Sequence, residues 1–296
     1  MGYLFVAAAL TAGAVKGYCG KRTSGFMNET ADAVFINMIR MFLCIAIGFA
    51  VIAFQGNISL IAADTKTIAI SFVSGIMTAF FVISWLISVK QSAYMMLDVF
   101  LMLGVIVTII CSFFAFGEPI RINQLIGFAV LIIAVGLMCS YNNKIKAKLT
   151  PRAVFLLAVC GISSGLADFS QKAFVKLTDG SSAVFNFYTY VFAGLFLAVI
   201  YLAAKSKKAP SEKPSGIFKS IFPYIAVMSL CLFANSFFKT LAANYLTSAE
   251  LYPLNQGMGL ILSSVMAAVF FKEKLTFKCI LGMILAFAAL LMINLF

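Results

Sequence analysis

Ten apolar stretches follow one another along the chain, separated by short polar interruptions. About 20 apolar residues in helical form span the hydrocarbon layer of a bilayer. The runs therefore predict membrane helices at about 2–20, 32–54, 68–88, 93–115, 122–141, 152–174, 182–204, 219–243, 248–271 and 276–296. They are continuous rather than alternating, which excludes a β-barrel. Lys90-Gln91-Ser92 and Gly117-Glu118-Pro119 are such short links that the helices they join must be antiparallel neighbours. The first run, Gly2 to Cys19, has no basic leader and contains Lys16, so it reads as a retained helix rather than a cleaved signal.

Composition agrees with the pattern. Hydrophobic residues make up 63% of the 296 positions and charged residues 11%, with a mean hydropathy of +1.05. A soluble domain of this size has no interior large enough to hide that surface. The net charge of +12 is not spread evenly. With both termini on side B, the side A links carry fifteen Lys and Arg: Lys21, Arg22, Lys90, Lys144, Lys146, Lys148, Arg152, Lys205, Lys207, Lys208, Lys213, Lys219, Lys272, Lys274 and Lys278. The side B links carry four: Lys66, Arg121, Lys172 and Lys176. The positive-inside bias then makes side A cytoplasmic and leaves both termini outside a multi-pass cell-membrane protein. The basic residues form no stripe, so no nucleic-acid surface is expected.

Several chemistries are missing. There is no His, which removes the commonest metal ligand and general base. The seven Cys are scattered, with no C-x-x-C, and no Walker A pattern occurs. No metal, cofactor or ATP engine is expected. No clustered nucleophile or dyad suggests an enzyme.

The two halves echo one another. Gly13-Ala-Val-Lys-Gly17 answers to Gly161-Ile-Ser-Ser-Gly165, and Ala33-Val34-Phe35 to Ala183-Val184-Phe185. Phe116-Gly-Glu118 answers to Phe271-Lys-Glu273, Gly104 to Gly259, and Gly127 to Gly282. The expected organisation is a five-helix repeat over 1–141, a link over 142–151 and a second repeat over 152–296. A repeat with an odd number of helices enters the membrane from the opposite side the second time. The fold class is thus all-α, with ten transmembrane helices in two inverted halves, and such halves point to alternating access around a site near the midplane.

The residues Gly117-Glu118 with Gly127, their second copy Lys272-Glu273 with Gly282, and Asn37-Met-Ile-Arg40-Met-Phe resemble the ten-helix, two-repeat, EamA-like branch of the drug/metabolite transporter superfamily. The second copy lacks the glycine of the Gly-Glu pair. The resemblance spans the whole chain. It implies transport without implying the solute, since the family moves amino acids, amines, sugar derivatives and drugs.

Ionisable residues inside membrane helices are costly, so each is a candidate for function. Their depths suggest two pairs: Lys16 with Asp98 toward side A, and Asp168 with Lys239 toward side B, acting as gates or flanking a substrate site. Arg40 is expected to be a structural partner of Asp98. Glu250 is either the cap of the ninth helix or a proton-coupling carboxylate, and Asp168 is a second candidate for coupling. Glu118 and Glu273 read as interfacial caps. Asn235, Ser236, Asn255 and Gln256, near Pro253, add polar groups to the central helices, and Trp85, Tyr18, Tyr94 and Tyr252 add aromatic faces. Sites of both signs suit a zwitterion like an amino acid, or a small carboxylate, carried by secondary transport as a monomer or homodimer, with protons or another ion coupled. An exporter of drugs or organic amines is the alternative within the fold. A receptor or scaffold without transport is the alternative outside it.

Overall fold

The computed structural model describes residues 1–27, 30–56, 58–91, 94–119, 121–145, 150–205, 215–272 and 276–295. Within them the chain forms ten α-helices: α1 (Gly2–Ser24), α2 (Thr30–Phe54), α3 (Thr65–Gln91), α4 (Tyr94–Phe116), α5 (Ile122–Ile145), α6 (Pro151–Leu177), α7 (Ser182–Lys205), α8 (Ser215–Ala242), α9 (Ser248–Phe270) and α10 (Phe277–Leu295). A single 3₁₀ turn, Ile58–Ile61, precedes α3, and no strand occurs among the described residues. Each predicted helix is present, most of them longer by a turn or less. Among the described residues, seven helices are long and apolar enough to cross a membrane, and α4, α5 and α10 contain shorter apolar stretches.

Local chemistry sets several ends. Thr150 caps α6, its hydroxyl accepting from the Ala153 amide at 3.2 Å, with Pro151 in the first turn where no amide hydrogen is needed. Pro253 sits near the start of α9 and does not end it, so the helix continues to Phe270.

The packing has a two-fold pattern. Between the halves, α1 packs on α8 and α3 on α6; α2 packs on α7, α4 on α9 and α5 on α10. Further contacts join α4 to α6 and α1 to α9, and α3 to α7 and α2 to α8. Exchanging each helix with the one five places along returns the same set of contacts. This is the packing of two like units related by a pseudo-two-fold axis.

The pattern is broken in degree. The α4–α6 contact is far more extensive than its counterpart between α9 and α1. Glycines explain the closeness. A Cβ on Gly104 would stand 2.3 Å from the Gly161 carbonyl oxygen, and one on Gly165 would stand 2.2 Å from that of Gly104. The Thr108 hydroxyl locks the approach by donating to the Gly165 carbonyl at 2.9 Å. Across the axis, a Cβ on Gly259 would meet nothing within 4 Å, and one on Gly13 would meet only the Asn235 amide nitrogen at 3.2 Å.

Candidate functional site

The space left between α1 and α9 opens on a cavity of about 110 Å³, walled by α1, α3, α4, α6, α7, α8 and α9. A polar pocket at the junction of helices inside an apolar bundle is where a ligand site is expected. Nine of the polar and aromatic residues singled out from the sequence line it: Lys16, Trp85, Asp98, Asp168, Asn235, Ser236, Lys239, Asn255 and Gln256.

The pair toward side B is formed. Lys239 Nζ stands 2.5 Å from Asp168 Oδ1, joining α8 to α6, and both residues are buried. Tyr252 ties α9 to the same point, its hydroxyl donating to the Asp168 carbonyl at 2.6 Å.

The pair toward side A is not formed. No ion pair within 4 Å joins Lys16 and Asp98 among the described residues. Lys16 Nζ instead faces the rings of Phe81 at 5.5 Å and Trp85 at 5.7 Å. The helices account for the difference, since α1 packs on α3, α8 and α9, whereas α4 packs on α3, α5, α6 and α9 and has no comparable contact with α1. The two charges therefore face the cavity from different walls.

Arg40 does not partner Asp98. It is buried at 1% exposure and donates to Asn37 Oδ1, one turn earlier on α2, at 2.5 Å. Asn37 in turn donates to the carbonyls of Ala33 and Val82, each at 2.9 Å. Residues three apart share a helix face, and α2 packs on α3, α7 and α8, away from α4. The contact of Arg40 is with Asn37 on its own helix rather than with Asp98.

Tyr18 also leaves the site. It lies two residues beyond Lys16, on another face of α1. Its ring packs on Phe271 at 5.7 Å and against the edge of Phe270 at 5.5 Å, and Arg22 donates to its hydroxyl at 3.2 Å. This aromatic contact joins α1 to the end of α9 on side A, where the Lys16–Asp98 pair was expected. Tyr94 opens α4, and its side chain lies outside the described residues, as does Glu273.

Glu250 is a cap. Its carboxylate accepts from the Thr247 amide at 2.9 Å and the Thr247 hydroxyl at 3.0 Å, at the start of α9. Its place is at the helix end rather than on the cavity wall. Glu118 caps across the fold, accepting from the Ser248 amide of α9 at 3.2 Å. It also faces Lys172 at 3.7 Å. Lys172 belongs to the interior rather than a link. It is 3% exposed and donates to the carbonyls of Ala243 and Leu246 at 3.2 and 2.7 Å. Glu118→Gln leaves this lysine without its counter-charge and is expected to lower unfolding stability by about 1–3 kcal/mol, read by thermal melting in detergent.

Sequence reasoning missed Gln171. It lines the cavity one turn beyond Asp168 on the same face of α6. The three-residue spacing was the available signal. It also missed Ser164, Phe81 and Ser263 on the cavity wall. Among the described residues, no group of acidic, Cys or His side chains is arranged to hold a metal.

Ten helices in two like halves around a buried polar cavity fit a membrane transporter. The EamA-like transporter family model matches twice, over residues 1–140 and 151–295, and the chain belongs to that family. In all, 28 chains of known structure match the fold. One, a protein of known crystal structure, superposes with a TM-score of 0.69 over 99% of this chain and 96% of its own, at 12% sequence identity. Comparison with curated protein sequences returns no match.

Proposed function

We propose that the protein is a secondary active transporter of the cell membrane that carries a small polar metabolite, zwitterionic like an amino acid or a small carboxylate, by alternating access. The observation that carries this reading is the pair of opposite charges, Lys16 and Asp98, lining one cavity with no ion pair between them. Desolvated charges of this kind are stabilised by a ligand that brings the missing partners. A solute carboxylate supplies the partner of Lys16, and a coupled proton neutralises Asp98.

The cavity volume of about 110 Å³ favours a solute of amino-acid size over a bulky drug. The aromatic faces of Phe81 and Trp85, which would suit an amine, already hold Lys16.

Access from side B requires parting the Lys239–Asp168 and Lys172–Glu118 contacts. Access from side A requires parting Tyr18 from Phe270 and Phe271. The coupling carboxylates of this scheme are Asp98 and Asp168, since Glu250 is held in its cap. Side A, with its basic links, is the cytoplasmic face, and the chain works as a monomer or homodimer.

An uptake screen in proteoliposomes tests the reading, with amino acids, organic acids and amines, with and without a proton gradient. Uptake of a small polar solute that Lys16→Met lowers at least tenfold is the expected result. No uptake of any member, with no member stabilising the protein, overturns it.

A further inference from the structure

The polar wall toward side B is built with a direction. Asn186 Nδ2 donates to the Ser182 carbonyl at 2.8 Å and to the Thr240 hydroxyl at 3.2 Å. A backbone carbonyl can only accept, which fixes the Asn186 amide with its Oδ1 as the acceptor. Ser236 Oγ donates to that oxygen at 2.6 Å. Having used its only hydrogen, Ser236 must accept from its other neighbour, which is Gln171 Nε2 at 3.0 Å. The chain of bonds ends on Gln171 Oε1, an acceptor with no donor, on a cavity residue 5% exposed.

Two more amides line the same cavity. Asn255 is 7% exposed and its Oδ1 also has no donor. It stands one turn after Tyr252, whose hydroxyl docks α9 on the Asp168 carbonyl. Asn235 Nδ2 is taken by the Ala9 carbonyl at 2.7 Å, so its Oδ1 is the end of the amide that remains for the cavity. Buried polar atoms are nearly always paired. Two unpaired acceptors and a third amide oxygen lining one cavity mark the place of a missing donor.

We propose that Gln171 Oε1, Asn255 Oδ1 and Asn235 Oδ1 form an ammonium subsite, so that the transported solute carries a primary amine. The inference rests on the transporter reading above and sharpens its substrate class. An ammonium has three hydrogens to donate, and three amide oxygens accept them without adding a carboxylate that Lys239 would capture. Lys16, on the α1 wall, is left for the solute's carboxylate. The solute then lies with its amino end toward side B.

The test uses the purified full-length protein, with melting temperature as readout. The probes are the standard L-amino acids, the acids that lack only their amino group, and sodium chloride alone. Stabilising probes are expected to carry the amine. Gln171→Met is expected to weaken the best of them about 10- to 100-fold, the worth of a hydrogen bond to a charged group. If Gln171→Met does not fold, Asn255→Leu, on another helix, carries the same expectation.

Stabilisation by the deaminated acids equal to that by the amino acids overturns the subsite. So does unchanged affinity in the variant, a sodium shift that matches the amino acids, or no stabilisation by any probe. Deaminated acids that bind and enter proteoliposomes would sink the subsite and leave transport standing. Amino acids that bind and never enter would do the reverse.

Discussion

Lys239→Met alone is expected to destabilise the protein by about 3–5 kcal/mol, and the double variant Lys239→Met/Asp168→Leu to regain most of that loss. The single change strands a carboxylate that is 3% exposed and has lost the ammonium 2.5 Å away. The double change removes both charges, so neither has to be desolvated alone. Asp168→Asn, which strands the lysine, is expected to fall with the single variant. Thermal melting and chemical denaturation in detergent read the stability. The double variant is also expected to fold and yet fail to transport, because the contact that makes and breaks on side B is gone. Single variants as stable as wild type would show that this pair ties nothing together.

Gly165→Leu is the second large effect. Its Cβ would lie 2.2 Å from the Gly104 carbonyl oxygen, in a contact where both partners are backbone. No side chain can turn aside, so α4 must retreat by roughly 1 Å and the Thr108 bond to the Gly165 carbonyl is lost with it. The expected result is a loss of folded protein on expression. Gly259→Leu, at the pseudo-equivalent of Gly104, is expected to fold, since nothing lies within 4 Å of its Cβ position. If the two halves exchange roles during transport, Gly259 must close on the Gly13–Gly17 face of α1 in the opposite state. The leucine would then block turnover without unfolding the chain. A Gly259→Leu protein that transports at the wild-type rate would exclude that exchange.

The helices were legible in the sequence because a bilayer demands long apolar runs and leaves little freedom in how they end. The repeat was legible through glycines, and the structure gives their reason in the backbone contact of Gly104 with Gly161 and Gly165. The cavity residues were legible as charges and amides out of place in an apolar run. Pairing was not. Depth along a helix places Lys16 and Asp98 at one level, but only packing says that α1 and α4 face each other across a space. Tyr18 failed for a rotational reason, two residues from Lys16 being another face. Gln171 was passed over because it lies near the end of α6, where an amide reads as interfacial rather than buried. Its meaning comes from the hydrogen-bond direction inherited from Asn186 and Ser236, which no spacing reveals.

Ser112 on α4 and Ser248 at the start of α9 are buried with their hydroxyl oxygens 2.9 Å apart, toward side B. A disulfide between Ser112→Cys and Ser248→Cys would hold that side shut. Uptake of the solute found by the screen, measured before and after oxidation in proteoliposomes of a chain otherwise free of cysteine, tests alternating access through this cavity most directly. The account predicts that oxidation stops uptake and that reduction restores it. Uptake that continues at the reduced rate with the disulfide formed would contradict it.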